Sequence, residues 1–166
     1  MDFDTGSSDL FLPGVGCKQS CNGHVRYDPS TSTTSRKTGE PFNLEYGDGS
    51  SVDGFVYNDT VSIAGLRAKQ QAVGVADIYS GSFGSGNFPA DGLLGMGFES
   101  ISVYNQSPVF QSFVAQGQAT DPVFAFKLAD SGSELYLGGV NKALYSGPFA
   151  YVSVVKKVEL FFHSLC

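Results

Sequence analysis

The chain has 166 residues, enough for one domain that buries its own core. Only 16% of its residues are charged and its formal net charge is −6, which excludes the basic surface that nucleic-acid phosphates need. No run reaches the roughly 18 apolar residues of a membrane span, and no signal-peptide pattern is present. A chain with few bases also repels itself little in acid. The 21 Gly, 14 Phe and 8 Tyr, with no Trp, form Gly-rich turns between aromatic and β-branched runs. That pattern predicts an all-β protein.

Phe3-Asp4-Thr5-Gly6-Ser7-Ser8 stands at the beginning. A short strand that delivers Asp4 into a tight turn presents a carboxylate to backbone and hydroxyl donors. Gly6 lets the chain turn and its amide approach the carboxylate. Ser7 can donate to the carboxylate directly, and Thr5 can hydrogen-bond into its surroundings. Cys17 and Cys21 follow in a Gly/Asn loop. Such a pair is a small disulfide or half of a metal site, and the lack of a second Cys/His pair at zinc spacing favours the disulfide. A disulfide points to an oxidising compartment. Ser30 to Ser35 is a polar surface loop.

Phe42 to Tyr46 alternates apolar and polar, as a half-buried strand does. Gly47-Asp48-Gly49-Ser50 breaks it and Val52 to Val56 resumes it, which predicts a hairpin. Thr60 to Ile63, Ala68 to Val75, Val123 to Leu128, Glu134 to Leu137 and Phe149 to Val155 read as further strands. Pro108 to Gln116 places Val109, Phe110, Phe113 and Val114 on one face, between a proline and Gly117, and reads as a short amphipathic helix. Asn58-Asp59-Thr60 and Asn105-Gln106-Ser107 match the N-glycosylation triplet, the second weakened by Pro108.

Four segments in order carry a family resemblance. Asp4 to Pro13 (DTGSSDLFLP) resembles the first active-site segment of pepsin-like aspartic proteases. Tyr46-Gly47-Asp48-Gly49-Ser50 resembles their flap. Asp91 to Gly97 (DGLLGMG) resembles the segment that passes beneath the catalytic loop, and Ser131 to Gly139 (SGSELYLGG) the strand and turn near the end of the first lobe. The chain resembles the amino-terminal lobe of that family, closest to secreted fungal enzymes of the polyporopepsin type.

The resemblance implies an all-β, single pepsin-type lobe with a flap hairpin and a short helix, forming an incomplete double-psi-like barrel. It implies acid endoproteolysis of polypeptide substrates, with Asp4 as the catalytic carboxylate supported by Thr5, Gly6 and Ser7. Tyr46 would close over substrate, and Gly47 and Asp48 would offer it hydrogen bonds. Phe11 and Leu93 are walls of an apolar subsite or ordinary core residues. No metal or organic cofactor is implied, nor a nucleic-acid or membrane partner. The intact parent would be secreted or vacuolar. The family often has Trp where Phe11 stands. Phe has no N–H donor, so a flap less firmly held open is expected.

The family's second aspartate is missing. Asp130-Ser131-Gly132 is rejected for that role because it follows Asp4 too closely and precedes the Glu134 to Leu137 strand. The expectation is a first lobe over 1–155, shortened at its start, with a divergent tail over 156–166 and no second lobe. Completing the dyad would take a second lobe or a dimer partner giving its own Asp4. The alternative is a truncated, non-catalytic homologue with the lobe fold only. Asp2-Phe3-Asp4 also resembles the Asp-x-Asp of Mg²⁺-dependent haloacid-dehalogenase-type phosphatases. That motif needs Thr or Val at Gly6 and an α/β sheet, which this sequence does not provide.

Overall fold

A computed structural model of the chain describes residues 1–154. The tail predicted over 156–166, and Val155 at the end of the last predicted strand, lie outside the described residues. The elements are β1 (Asp2–Asp4), β2 (Leu10–Pro13), β3 (Arg36–Glu45), β4 (Ser51–Ile63), β5 (Leu66–Tyr79), β6 (Leu93–Gly95), α1 (Val109–Ala115), β7 (Phe124–Lys127) and β8 (Glu134–Leu137). Six strands form one mixed sheet in the order β1-β6-β2-β5-β4-β3, and β7 and β8 form a separate hairpin. The chain is thus mostly strand with one short helix, consistent with a single pepsin-type lobe.

Long β3, β4 and β5 form an antiparallel meander. Along β4 the residues Val52, Gly54 and Val56 alternate inward, as the period of two requires. The tight β4–β5 turn places Ala64 and Gly65 both at positive φ, the geometry of a two-residue hairpin loop. Thr60 to Ile63 is therefore no separate strand. It continues β4 past an irregularity between Asp59 and Val61, where the pairing with β5 slips register. The predicted strand at Phe149 to Val155 does not form over 149–154, whose residues are exposed and make no sheet partner.

The site end of the sheet has a different topology. Strand β6 lies between two strands that follow each other in sequence: parallel to β1, with Asp4 opposite Gly95, and antiparallel to β2, with Phe11 opposite Leu93. This is one psi-type crossing, in a sheet whose edges are β1 and β3.

Side chains alternate across these strands and so split the interior into two cores. One holds Phe11, Leu44, Val52, Tyr79, Phe83 and Leu93 under the hairpin tip, and encloses the pair Cys17 and Cys21. These form a disulfide with Cα atoms 6.1 Å apart. The other core holds Leu10, Leu94 and Met96 against Val109, Phe110 and Phe113 of α1, with Phe124 and Leu135 of the β7–β8 hairpin at its margin. The helix ends at Gln116, and Gly117 takes the left-handed conformation (φ 66°) common after a helix. The Gln116 side chain then clamps β5. Its Oε1 accepts from Lys69 N–H at 2.9 Å and its Nε2 donates to Lys69 O at 3.0 Å.

The polar loop at Ser30 to Ser35 is on the surface, and it also supplies donors to a buried group. Asp59, 6% exposed, accepts from Tyr27 Oη, Ser32 Oγ, Thr34 Oγ1 and its neighbour Thr60 N–H. Burial works against its charge, but the hydrogen bonds from Thr34, Tyr27, Ser32 and Thr60 together outweigh it and hold Asp59 below its ordinary 3.8. A depressed carboxylate stabilises the fold above its unfolded value, and that stability is lost as pH falls through the folded value. Urea titrations of the native chain should therefore show a loss of stability below about pH 4 that is flattened in Asp59→Asn. Asp59→Ala, which orphans three hydroxyls, should cost about 3 kcal/mol at neutral pH. An Asp59→Asn profile identical to the native one would remove Asp59 from this role.

Candidate active site

Asp4 ends β1, and the chain turns sharply after it. Gly6 N–H donates to Asp4 Oδ1 at 2.8 Å, and Ser7 Oγ donates to Oδ2 at 2.6 Å. Each carboxylate oxygen thus has a donor from the same tight turn. A Cβ at Gly6 would lie 3.2 Å from Oδ1 and crowd it.

This turn is fastened to the segment after β6. Met96 N–H donates to Asp4 O at 2.7 Å, Gly97 N–H to Ser7 O at 2.8 Å and Gly95 N–H to Asp9 O at 3.0 Å. Ser8 Oγ donates to Phe98 O at 2.6 Å. Asp4, Gly6, Ser7 and the Gly95-Met96-Gly97 run are brought together as the sequence motifs require. Thr5 makes no hydrogen bond among the described residues. Its side chain lines an apolar hollow of about 470 Å³ with Phe3, Phe124, Phe126 and Leu128.

The Tyr46–Ser50 turn caps the β3–β4 hairpin, closed by Tyr46 N–H to Ser50 O and Gly49 N–H to Tyr46 O, both 2.9 Å. Gly47 and Asp48 are exposed at its tip. The Asp48 carboxylate turns back on the hairpin, accepting Ser50 N–H at 2.9 Å and Ser50 Oγ at 2.6 Å through Oδ1. Tyr46 instead folds inward, its ring 6.5 Å from Phe11 and 5.5 Å from Phe83. Its hydroxyl is buried without a hydrogen-bond partner among the described residues. Burial, then the charges of Asp4 and Asp9, push this phenol well above its ordinary 10.

Phe11 and Leu93 are core residues, 0% and 5% exposed, and support the floor from beneath. Phe83, which sequence reasoning missed, stacks edge-on against both Phe11 and Tyr46. Nothing in its Gly-Ser-Phe context signals this. Asp130 is exposed in the turn joining β7 and β8. Among the described residues no group of three or more His, Cys, Asp or Glu could hold a metal, and no helix is long and apolar enough to cross a membrane.

Asp9, also missed, was visible inside the motif as a carboxylate directly before the apolar run Leu10-Phe11-Leu12. It is 4% exposed and accepts from Ser102 Oγ at 2.6 Å, Val103 N–H at 2.7 Å and Tyr104 N–H at 3.4 Å. Burial outweighs these donors and pushes Asp9 above its ordinary 3.8.

The eukaryotic aspartyl protease family matches residues 1–164. An aspartic protease of Phaffia rhodozyma is 42% identical over 158 residues, covering 95% of this chain and 38% of its own length. Rhizopuspepsin-4 of Rhizopus niveus is 39% identical, covering 93% and 39%. Vacuolar protease A of Arthroderma otae is 38% identical, covering 93% and 40%. The chain spans about two fifths of the length of these relatives.

Two outcomes follow from the buried groups around Asp4. A raised carboxyl favours folding while it is neutral, below its unfolded value, and this contribution is lost as pH rises through the folded value. Stability of the native chain should thus decline from about pH 4 upward through Asp9, and Asp9→Asn should flatten that decline in urea titrations; an unchanged slope would contradict it. Phe11→Trp places an indole N–H near the orphaned Tyr46 hydroxyl. It should slow amide exchange across residues 46–51, and unchanged exchange would show that the indole does not hold the tyrosine.

Proposed function

Because the chain belongs to the eukaryotic aspartyl protease family, we propose that residues 1–155 are the first lobe of an aspartic-type endopeptidase, with Asp4 as its catalytic carboxylate. The observation that carries this reading is the geometry of Asp4. Its two oxygens are held by Gly6 N–H and Ser7 Oγ in a turn fastened to β6, beside the tyrosine of a hairpin tip.

In this chemistry Asp4 and a second carboxylate hold one water between them. One carboxylate takes a proton from the water as it attacks the peptide carbonyl. The other, protonated, donates to the carbonyl oxygen, and no acyl-enzyme forms. Gly6 and Ser7 fix the plane of Asp4, the amides of Gly95, Met96 and Gly97 fasten its turn, and Tyr46 excludes water as the hairpin closes. The exposed Gly47 and Asp48 at the hairpin tip would offer backbone amides to an extended peptide, while Phe11, Phe83 and Leu93 are buried and support Tyr46 from beneath.

The second carboxylate would come from a second lobe or from a second copy related by two-fold symmetry. The apolar hollow at Thr5, with Leu128 82% exposed beside it, supports a partner seated on that face. The competing reading is a non-catalytic homologue with the lobe fold only. It is favoured by the place of Asp130, whose Asp-Ser-Gly lies on a hairpin turn and not in a second psi-type loop. The Cys17–Cys21 disulfide and the vacuolar relative support a secreted or vacuolar location.

The decisive assay is hydrolysis of a denatured protein at about pH 3–4 by the purified chain, with and without pepstatin, alongside Asp4→Asn and a mass measurement in solution. Cleavage by a dimer that pepstatin blocks and Asp4→Asn abolishes is the expected result for the symmetric dyad. A folded monomer without activity that gains none from a separately supplied second lobe would leave the non-catalytic reading standing.

A further inference from the structure

Both Asn-X-Ser/Thr triplets of the chain converge on one hollow outside the cleft. Asn58 lies in β4 and Asn105 in the loop before α1, at φ 52°. Together they line a cavity of about 400 Å³ with Thr38, Glu40, Val103 and Gln106. Beneath it Phe42 and Tyr104 pack edge to face, 5.2 Å apart. The hollow borders β3, the free edge of the six-stranded sheet, where residues 36–41 are exposed and the pairing slips register between Lys37 and Pro41. Exposed Pro41 and Val103 offer small apolar surfaces, and the Glu40 and Gln106 side chains make no hydrogen bond among the described residues. Apolar patches beside free acceptors and donors match the faces of an N-acetylated sugar.

We propose that Asn58 is an N-glycosylation site and that the first N-acetylated sugars of its glycan lie in this hollow, over the β3 edge. In the attachment step the Asn58 side-chain nitrogen forms a bond to the anomeric carbon of an oligosaccharide carried on a lipid diphosphate. The carbon–oxygen bond to the diphosphate breaks, the lipid diphosphate leaves with that electron pair, and the amide nitrogen gives up one proton. No oxidant or reductant is involved. The inference goes beyond the protease reading and does not depend on an assembled dyad; it asks only for passage through the oxidising compartment that the Cys17–Cys21 pair implies.

One observation chooses Asn58 over Asn105, and two more suit Asn58 itself. The Asn58 triplet ends in Thr60 and continues into Val61, whereas the Asn105 triplet runs into Pro108, which restricts Ser107 in the unfolded chain. Asn58 is half-buried at the hollow and its side chain makes no hydrogen bond among the described residues, so attachment breaks no native contact. A glycan at this position also covers an unpaired strand edge, the element most prone to pairing with a neighbouring molecule.

The test is secretion of the full chain behind a host leader from a glycosylating eukaryotic host, followed by digestion with a peptide N-glycosidase and mass spectrometry of the peptides spanning Asn58 and Asn105. The expected result is a glycosidase-sensitive mass, conversion of Asn58 to aspartate on release, and loss of the glycan in both Asn58→Gln and Thr60→Val. Thr60→Val keeps the shape of the strand while removing the acceptor triplet, so loss in that variant does not rest on a change at Asn58 itself. Asn105→Gln should leave the glycan in place. A secreted chain with an intact Cys17–Cys21 bond and an unmodified Asn58 overturns the inference, as does a glycan that survives Thr60→Val. The protease reading stands or falls separately, on the Asp4→Asn assay.

Discussion

A side chain at Gly95 has nowhere to go. A Cβ there would lie 2.4 Å from the N, Cα and C atoms of Ser8, far inside contact distance. This approach lets the three residues of β6 run between β1 and β2 and accept the Asp4 turn against their end. Alternation along these short strands does the rest. Leu93 and Phe11 point into the core beneath the hairpin, and Leu94 and Leu10 into the core against α1. The carboxylate is therefore mounted where two hydrophobic cores meet. Truncating any of the four would cost about 2–5 kcal/mol and would loosen the turn that orients Asp4. Precision at a reacting group needs such a rigid seat.

Two buried carboxylates flank this arrangement, and environment gives them opposite tendencies. Asp59 gathers several donors and keeps its charge, whereas Asp9, with fewer effective donors, is dominated by desolvation. Their contributions to stability run in opposite directions with pH. Acidification relaxes the desolvation at Asp9, next to the Asp4 turn, and weakens the knot at Asp59, on the meander. The Asp4 end of the sheet is thus the better suited to acid, which fits the chemistry proposed for Asp4. The Cys17–Cys21 bond, insensitive to protonation, closes a short loop after β2.

What could be read in the sequence follows the range of the forces involved. The hairpin around Gly47-Asp48-Gly49, the β7–β8 pair and the helix from Pro108 were legible because turn chemistry and periodicity are local. The Asp4 turn was legible because all its donors lie within three residues. Strands β1 and β6 are three residues each, too short for a period to register, and only the resemblance placed one beneath the other. Continuity of β4 through Thr60 was hidden by the irregularity at Asp59, which interrupts alternation without ending the strand. The Asp59 knot draws on Tyr27, Ser32 and Thr34, more than twenty positions away, and no local pattern announces it. The strand expected at 149–154 had the right residue types but finds no neighbouring strand, and β-propensity without a partner does not make a sheet.

The orphaned Tyr46 hydroxyl is the other side of the Asp4 geometry. A buried phenol without a partner costs about 1–3 kcal/mol, and here it lies in the field of Asp4 and Asp9 with Phe11 and Phe83 packed around its ring. The hairpin is held by its pairing with β5, by the Ser51–Ser80 hydrogen bonds at its base and by the packing of the Tyr46 ring. Under the proposed function, a bound peptide would offer carbonyls and amides to the hydroxyl, and binding would convert an existing cost into affinity. Asp4 has the same logic on a larger scale. Its turn satisfies one direction on each oxygen and leaves the others facing outward, and a water shared with a second carboxylate would use them. Orientation of the Asp4 carboxylate is thus built into its own turn, while the proton sharing proposed for it would depend on a second carboxylate.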